Sequence, residues 1–501
     1  MFVKEFFAGR RDRLIRWMVY AGILLLAYMM FMHFYITSDY IPVASLGGVV
    51  PLPDIHVAVS GGRFFSYIML WFFYLLSKLH ISYYQNVFVI QIMGILLYAW
   101  TGTKMHGMLS GYFGGKGQKI LLDGCILLCF LNPFMVETYV YGSFEWAVGI
   151  WLAVLAVEKL TKRKYVLGLF LALCATSVYQ TNIFIVLILW LLAVFLENHE
   201  RDAKRMAKQI AIAVSATAAV ALCSILLQKL VVISGNTSSP GKEAVLSGSL
   251  VQKAVSVLLS AIGVLWNMHG MLPKRFLFVF AAVLYCMAMY VLIVKKKAAA
   301  YAVIWTVMLG ILFLAPFSYG LVMMSRAFPA RTILPLFFSV SALVVSALYI
   351  VREYVKITGF LKVFSALFAA VVVFCTETCI LDCYIRQALD FNEAMCIQAE
   401  IEEYEERSGI AVRTVCAGKS PAPVYCSPML HLSYDTTYNY RIMHDYWAQT
   451  RFLNYVAQED YEVCWMEEGQ YEEYFGTSSW EVFNPSEQLH FEGDTLYWAI
   501  Y

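Results

Sequence analysis

The sequence predicts an all-α polytopic membrane protein of about 11 transmembrane helices over residues 1–380, followed by a small α/β extracytoplasmic domain over residues 381–501. Three observations carry this reading. Of 501 residues, 60% are hydrophobic and only 14% charged, where soluble proteins carry roughly 25% charged residues. Apolar runs of bilayer length recur as far as Ile380. Beyond Ile380 the chain turns polar and acidic, with the clusters EIEEYEE and MEEGQYEEY, and no further apolar run is long enough to span.

The N-terminal stretch MFVKEFFAGRRDRLIRW is basic and leads into about 20 apolar residues without a small-x-small cleavage site, the pattern of an uncleaved signal anchor. Eleven spans are expected to begin near Ile15, Val87, Ile120, Trp146, Val166, Ile183, Ile210, Phe276, Ala298, Ile333 and Phe360. Two further apolar stretches, Phe64 to Leu79 and Leu246 to Met271, are each able to span or to lie in the interface. Charge decides between these options. With neither crossing and the N-terminus cytoplasmic, the clusters at 4–16, 104–119, 159–164, 201–208, 295–297 and 352–362 put 22 Lys and Arg inside. Only 8 then lie in external loops ahead of the C-terminal region, a strong positive-inside bias. Both stretches are therefore expected at the outer interface. In the C-terminal region Arg386 to Arg407 has helical spacing, and VRTVCAG, YEVCWM and TLYWAIY look like short strands.

Several chemistries are excluded or weakened by pattern. No basic patch interleaved with aromatics argues for nucleic acid. The twelve cysteines follow neither a zinc nor a CxxC spacing, so no metal site is expected. Cys125, Cys129, Cys174, Cys223, Cys286 and Cys375 lie in apolar runs and read as small core residues. Cys416 and Cys426 flank a Pro-containing turn and are a candidate disulfide if that region is extracytoplasmic. FGGKGQK lacks the spacing of a phosphate loop and reads as a basic cytoplasmic turn.

The functional signal is the gathering of ionisable and polar residues in the external loops. Thr37 to Phe65 holds Asp39, Asp54 and Arg63 among repeated Gly and Pro. The next external loop, NPFMVETYVYGSFEW, holds Glu137, Tyr139, Tyr141 and Glu145. A tight reversal at SVYQTN presents Tyr179, Gln180 and Asn182, and PFSYGLVMMSRAFPAR contributes Tyr319, Arg326 and Arg331. Taken singly, each has a plain alternative: a solvated helix end for the charges, an interfacial aromatic belt for Tyr139 and Tyr319, a helix cap for Gln180.

The order of Ser38-Asp39, Gly62-Arg63, Asn132-Pro133-Phe134 with Glu137 and Tyr141, Tyr179-Gln180, and the arginines Arg326 and Arg331 resembles the bacterial serotype-converting glucosyltransferases. The resemblance covers roughly Trp17 to Ile380. It implies the GT-C architecture, a bacterial cytoplasmic membrane, a polyprenyl-phosphate-linked sugar donor, a surface polysaccharide or glycolipid acceptor such as O-antigen, and no metal cofactor. Where the family often has two adjacent acids this chain has Ser38-Asp39, and where it often has an Arg-Phe-Asp-like stretch this chain has Gly142-Ser143-Phe144-Glu145. For such a transfer Asp39 is expected as the base, with Asp54 in reserve. Arg331 with Arg326 or Arg63 would hold the lipid phosphate, Glu137, Tyr141, Glu145 and Gln180 would orient sugar hydroxyls, and apolar grooves beside Phe64 to Leu79 would hold the polyprenyl chain. A transporter or flippase of lipid-linked saccharides is the alternative. It predicts ionisable residues at mid-span depth.

Overall fold

The structure is a computed structural model that describes residues 2–32, 63–79, 83–140, 143–198, 203–234, 250–321, 328–419, 441–444 and 449–500. Asp39, Asp54, Tyr141, Arg326 and Cys426 lie outside the described residues. The chain divides into two compact units, with described residues up to 32, 63–73 and 87–377 in the first, and 74–79, 83–86 and 378–500 in the second.

The helices that lie wholly or partly in the first unit follow the apolar runs. They are α1 (Phe2–Ala27), α2 (Phe64–Lys78), α3 (Tyr83–Leu109), α4 (Lys116–Leu128), α5 (Pro133–Val140), α6 (Ser143–Thr161), α7 (Tyr165–Val178) and α8 (Asn182–Asn198). After them come α9 (Ala203–Ser234), α10 (Leu250–Asn267), α11 (Phe276–Tyr290), α12 (Ala299–Leu314), α13 (Pro335–Val351) and α14 (Val355–Ser408). Of these, α2, α3 and α14 have residues in both units.

Six helices among the described residues are long and apolar enough to cross a membrane, or seven if α4 and α5 are counted as one broken span. Of the eleven expected spans, those of α1 and α6 are not among these six, and α7, α8 and α13 are apolar but have only 14, 17 and 17 residues, where a bilayer asks for about 20. For α8 and α13 the physical reason is burial in protein. Every residue of α13 is buried, as is every residue of α8 except Phe184 and Glu197, so these helices meet neighbouring helices and need not match lipid. The segment Val251–Gly270, expected in the interface, is itself long and apolar enough to cross, whereas α2 is a helix of 15 residues. Cys223 and Cys286, expected in the core, are exposed on their helices.

Two local features shape the bundle. Between α4 and α5 the chain bends by 50°, and Asn132 accounts for it. Its side-chain oxygen accepts from the backbone N–H groups of Phe134 (3.1 Å) and Met135 (3.2 Å), starting α5. Its amide nitrogen donates to the carbonyls of Leu128 (2.9 Å) and Cys129 (3.2 Å), closing α4. Pro133, with no N–H to lose, takes the first position of α5. At the other feature, Asn182 opens α8 and donates to the carbonyl of Ala175 at 3.1 Å. This is possible because Gly149 on α6 has no side chain; a Cβ there would meet the Asn182 amide at 2.2 Å.

In the second unit the strands β1 (Thr414–Lys419), β2 (Glu462–Trp465), β3 (Leu489–Glu492) and β4 (Thr495–Ile500) form one sheet in the order β2-β1-β4-β3. β1 runs parallel to β2 and β4, and β3 pairs antiparallel with β4. The C-terminal part of α14, with Ala394, Ile397 and Ile401, packs in one core with Val415, Ala417, Leu496, Trp498 and Phe452 of the helix α15 (Gln449–Ala457). Inside it sits a dry charge network. Arg441, fully buried, donates from Nε to Asp390 at 2.8 Å and from Nη2 to Glu393. Trp498 Nε1 donates to Glu393 at 3.0 Å and the Ile442 N–H to Asp390 at 2.8 Å.

Burial pushes the Glu393 carboxyl up to about 7 against the opposing pull of Arg441. A folded-state value above the unfolded one means that the folded protein holds a proton which the unfolded chain has released, so stability is greatest below about pH 4.5 and falls as pH rises to about 7. Thermal unfolding of the full chain in detergent, followed by tryptophan fluorescence, is expected to show the C-terminal unit losing on the order of 3 kcal/mol across that window. Glu393→Gln should flatten the profile; an unchanged slope in that variant would assign the pH dependence elsewhere.

Candidate functional site

The site is built outward from α5. Asn132 starts this helix inside the bundle, and Glu137 lies one turn into it, with none of its surface exposed. Facing it is the 3-10 turn Ala330–Thr332 ahead of α13, closed by Thr332, whose N–H and hydroxyl both donate to the Pro329 carbonyl at 2.8 Å. The turn puts two donors of one residue on the carboxylate. The Arg331 backbone N–H reaches Glu137 Oε2 at 2.7 Å, and Arg331 Nη1 reaches Oε1 at 2.5 Å. The Glu137 side chain is wholly buried, while that of Arg331 keeps 30% of its surface exposed. The guanidinium is thus fixed through one of its nitrogens while the side chain as a whole remains partly exposed.

Glu137, expected to orient sugar hydroxyls, instead accepts from Arg331 through both oxygens and has no surface to offer a ligand. It is a positioning residue for Arg331. Tyr139, expected in an aromatic belt, is also corrected. It is buried, stacked on Tyr28 with ring centroids 3.8 Å apart, and 6.0 Å from Tyr98. The bend at Asn132 is the cause, since it carries α5 into the bundle. Gln91 donates to the Tyr139 carbonyl at 2.6 Å near the end of α5, satisfying a buried carbonyl that the short helix leaves open.

A second group forms around Tyr179 in the α7–α8 reversal. The exposed guanidinium of Arg63 lies 5.0 Å from the Tyr179 ring centroid, and that ring packs against Trp146 at 4.0 Å. Glu145 precedes Trp146 in the first turn of α6, Gln180 follows Tyr179, and both are half-buried. The described residues thus bring Arg63 to one aromatic pair, with Glu145 and Gln180 next to its members in the chain, and Glu137 to Arg331.

Beside Glu145, Phe144 begins an apolar cavity of about 550 Å³ that runs along α1, α3 and α6 and is lined by Trp17, Met93, Leu97, Trp100 and Trp151. Phe72 of α2 stands 6.1 Å from Phe144. Such a groove can take a hydrocarbon chain. A separate polar cluster centres on Asp123 of α4, which accepts from Arg16 Nε at 3.0 Å and the Tyr20 hydroxyl at 2.5 Å, with His106 Nε2 at 3.6 Å. Sequence reading passed over Asp123 as part of an apolar run, although a lone acid seven residues into α4 was a signal that partners were needed. Gln91 was missed for the same reason. No group of metal-ligating side chains occurs among the described residues.

Breaking a buried ion pair from one side costs about 3–5 kcal/mol because the remaining charge is left uncompensated. Arg331→Met alone is expected to lose about that much, while Glu137→Gln with Arg331→Met should lose distinctly less than the two single changes together. Unfolding in mixed micelles checks this, and strict additivity would mean that the two residues are not coupled. No protein-family model, curated protein or solved structure matches this chain.

Proposed function

We propose that the protein is a membrane glycosyltransferase that moves a hexose, glucose by resemblance, from a polyprenyl-phosphate-linked donor to a surface polysaccharide or glycolipid acceptor at the outer face of the bacterial cytoplasmic membrane. The observation that carries this reading is Arg331, an arginine held by the wholly buried Glu137 while 30% of its side-chain surface stays exposed. The same unit also holds the aromatic pair Trp146 and Tyr179 with Arg63 upon it, and the apolar groove that starts at Phe144.

In this mechanism a carboxylate, Asp39 with Asp54 in reserve, takes the proton from the acceptor hydroxyl. The freed oxygen attacks the anomeric carbon of the donor sugar from the face opposite the phosphate. The bond from that carbon to the phosphate oxygen breaks, and polyprenyl phosphate leaves with the electron pair. Arg331, with Arg63 or Arg326, offsets the charge that grows on the leaving phosphate, where such donors contribute most. Direct displacement inverts the anomeric centre. Glu145, Gln180 and Tyr141 would hold sugar hydroxyls, and the groove would seat the polyprenyl chain.

The Asp123 cluster is the one observation that favours the alternative, a flippase of lipid-linked saccharides, because it is an ionisable group among apolar helices. Purified protein supplied with radiolabelled polyprenyl-phosphate glucose and a glycan acceptor separates the two. For a transferase, label passes to the acceptor, Asp39→Asn abolishes transfer while donor still binds, and Arg331→Lys lowers it by roughly 10²-fold. For a flippase, label stays on the lipid and Asp123→Asn stops its movement across proteoliposomes. Full transfer by Asp39→Asn would remove that residue from the role of base.

A further inference from the structure

In the sheet of the second unit, Cys416 on β1 and Cys464 on β2 are register partners on neighbouring parallel strands. Their sulfurs are 2.8 Å apart. Neighbouring strands run about 4.8 Å apart and register partners project to the same side, which lies within the Cα separation that a disulfide spans. Both residues are half-buried, on the side of β1 opposite Val415 and Ala417, which face the core. The sequence expectation paired Cys416 with Cys426 across a short turn. The sheet instead gives Cys416 a neighbour 48 residues away in the chain.

The geometry points to Cys416 and Cys464 as a disulfide-forming pair that staples the edge strand β2 to β1. Its formation in the cell rests on the extracytoplasmic placement of the C-terminal domain in the proposed function, since cytosolic thiols stay reduced. The oxidant is a disulfide of a thiol oxidoreductase or of a small thiol. One of the two cysteines, as thiolate, attacks a sulfur of that disulfide and releases the first thiol. The other then attacks the mixed disulfide, forming the Cys416–Cys464 bond and releasing the second thiol. Two electrons pass to the incoming disulfide, and the two cysteine protons end on its thiols. Among the described residues β2 is a short edge strand whose ladder is with β1, so a covalent tie there limits its fraying. Burial, the neighbouring thiol and the acids Glu462 and Glu467 push the Cys416 thiol up to about 12. A thiol that resists ionisation is a poor leaving group, so the bond once made resists reduction.

Full-length protein in detergent is reduced, freed of reductant, exposed to excess oxidised glutathione, quenched by alkylation and mapped by mass spectrometry. The expected result is a linked peptide pair carrying Cys416 and Cys464, formed equally in Cys426→Ala, while the exposed Cys396 takes glutathione. Cys416 linked to Cys426, or Cys416 and Cys464 both alkylated under conditions that modify Cys396, would overturn the assignment. The same mapping on cells quenched with a membrane-permeant alkylating agent reads the compartment. A pair oxidised in cells supports staple and placement together. A pair that oxidises in detergent but stays reduced in cells upholds the staple and refutes the placement.

Discussion

A carboxylate with no exposed surface, Glu137, stands against a guanidinium that is partly exposed, and much of the membrane unit is arranged to make this contact possible. In a medium of low dielectric the attraction between the two is large, but so is the cost of drying them. The contact is favourable only if its geometry is fixed in advance. Asn132 supplies one half of that geometry by ending α4 and starting α5 in the same residue. The turn closed by Thr332 supplies the other, because it presents both the backbone and the side chain of Arg331. A change in either support would leave charge stranded inside the bundle.

The second unit solves a similar problem with a different emphasis. Arg441, Asp390 and Glu393 are all dry, and burial, with a smaller push from the neighbouring Asp390, favours the protonated form of Glu393. In the membrane unit Arg331 keeps 30% of its side chain exposed. In the C-terminal unit the arginine is sealed beneath Trp498 and the sheet, and its role is to hold the fold.

Much of this was readable from the residues. β1, β2 and β4 were visible as short runs of branched and aromatic residues, whereas NPFMVETYVYGSFEW was expected as an external loop and instead begins with the helix α5. Arg331 and Glu137 were picked out because charge at the edge of an apolar run is costly. Their mutual pairing was not legible, since a separation of 194 residues leaves no local trace. β3 escaped because four residues carry little pattern, though Gly493-Asp494 between it and β4 is a two-residue hairpin sequence. The burial of α8 and α13 was not legible because hydropathy reports whether a segment avoids water and cannot distinguish lipid from protein as its surroundings. The Cys464 neighbour of Cys416 was hidden for the reason that hid the Glu137 partner: parallel strands bring together residues far apart in the chain.

α13 carries a consequence for how the protein is made. With all 17 residues buried, it has almost no face with which to contact acyl chains once the bundle is complete, and at about 25 Å it is shorter than the hydrocarbon slab. Its native surroundings do not exist until the helices synthesised before it have assembled. Biogenesis therefore has to deliver this segment into a slot already made of protein.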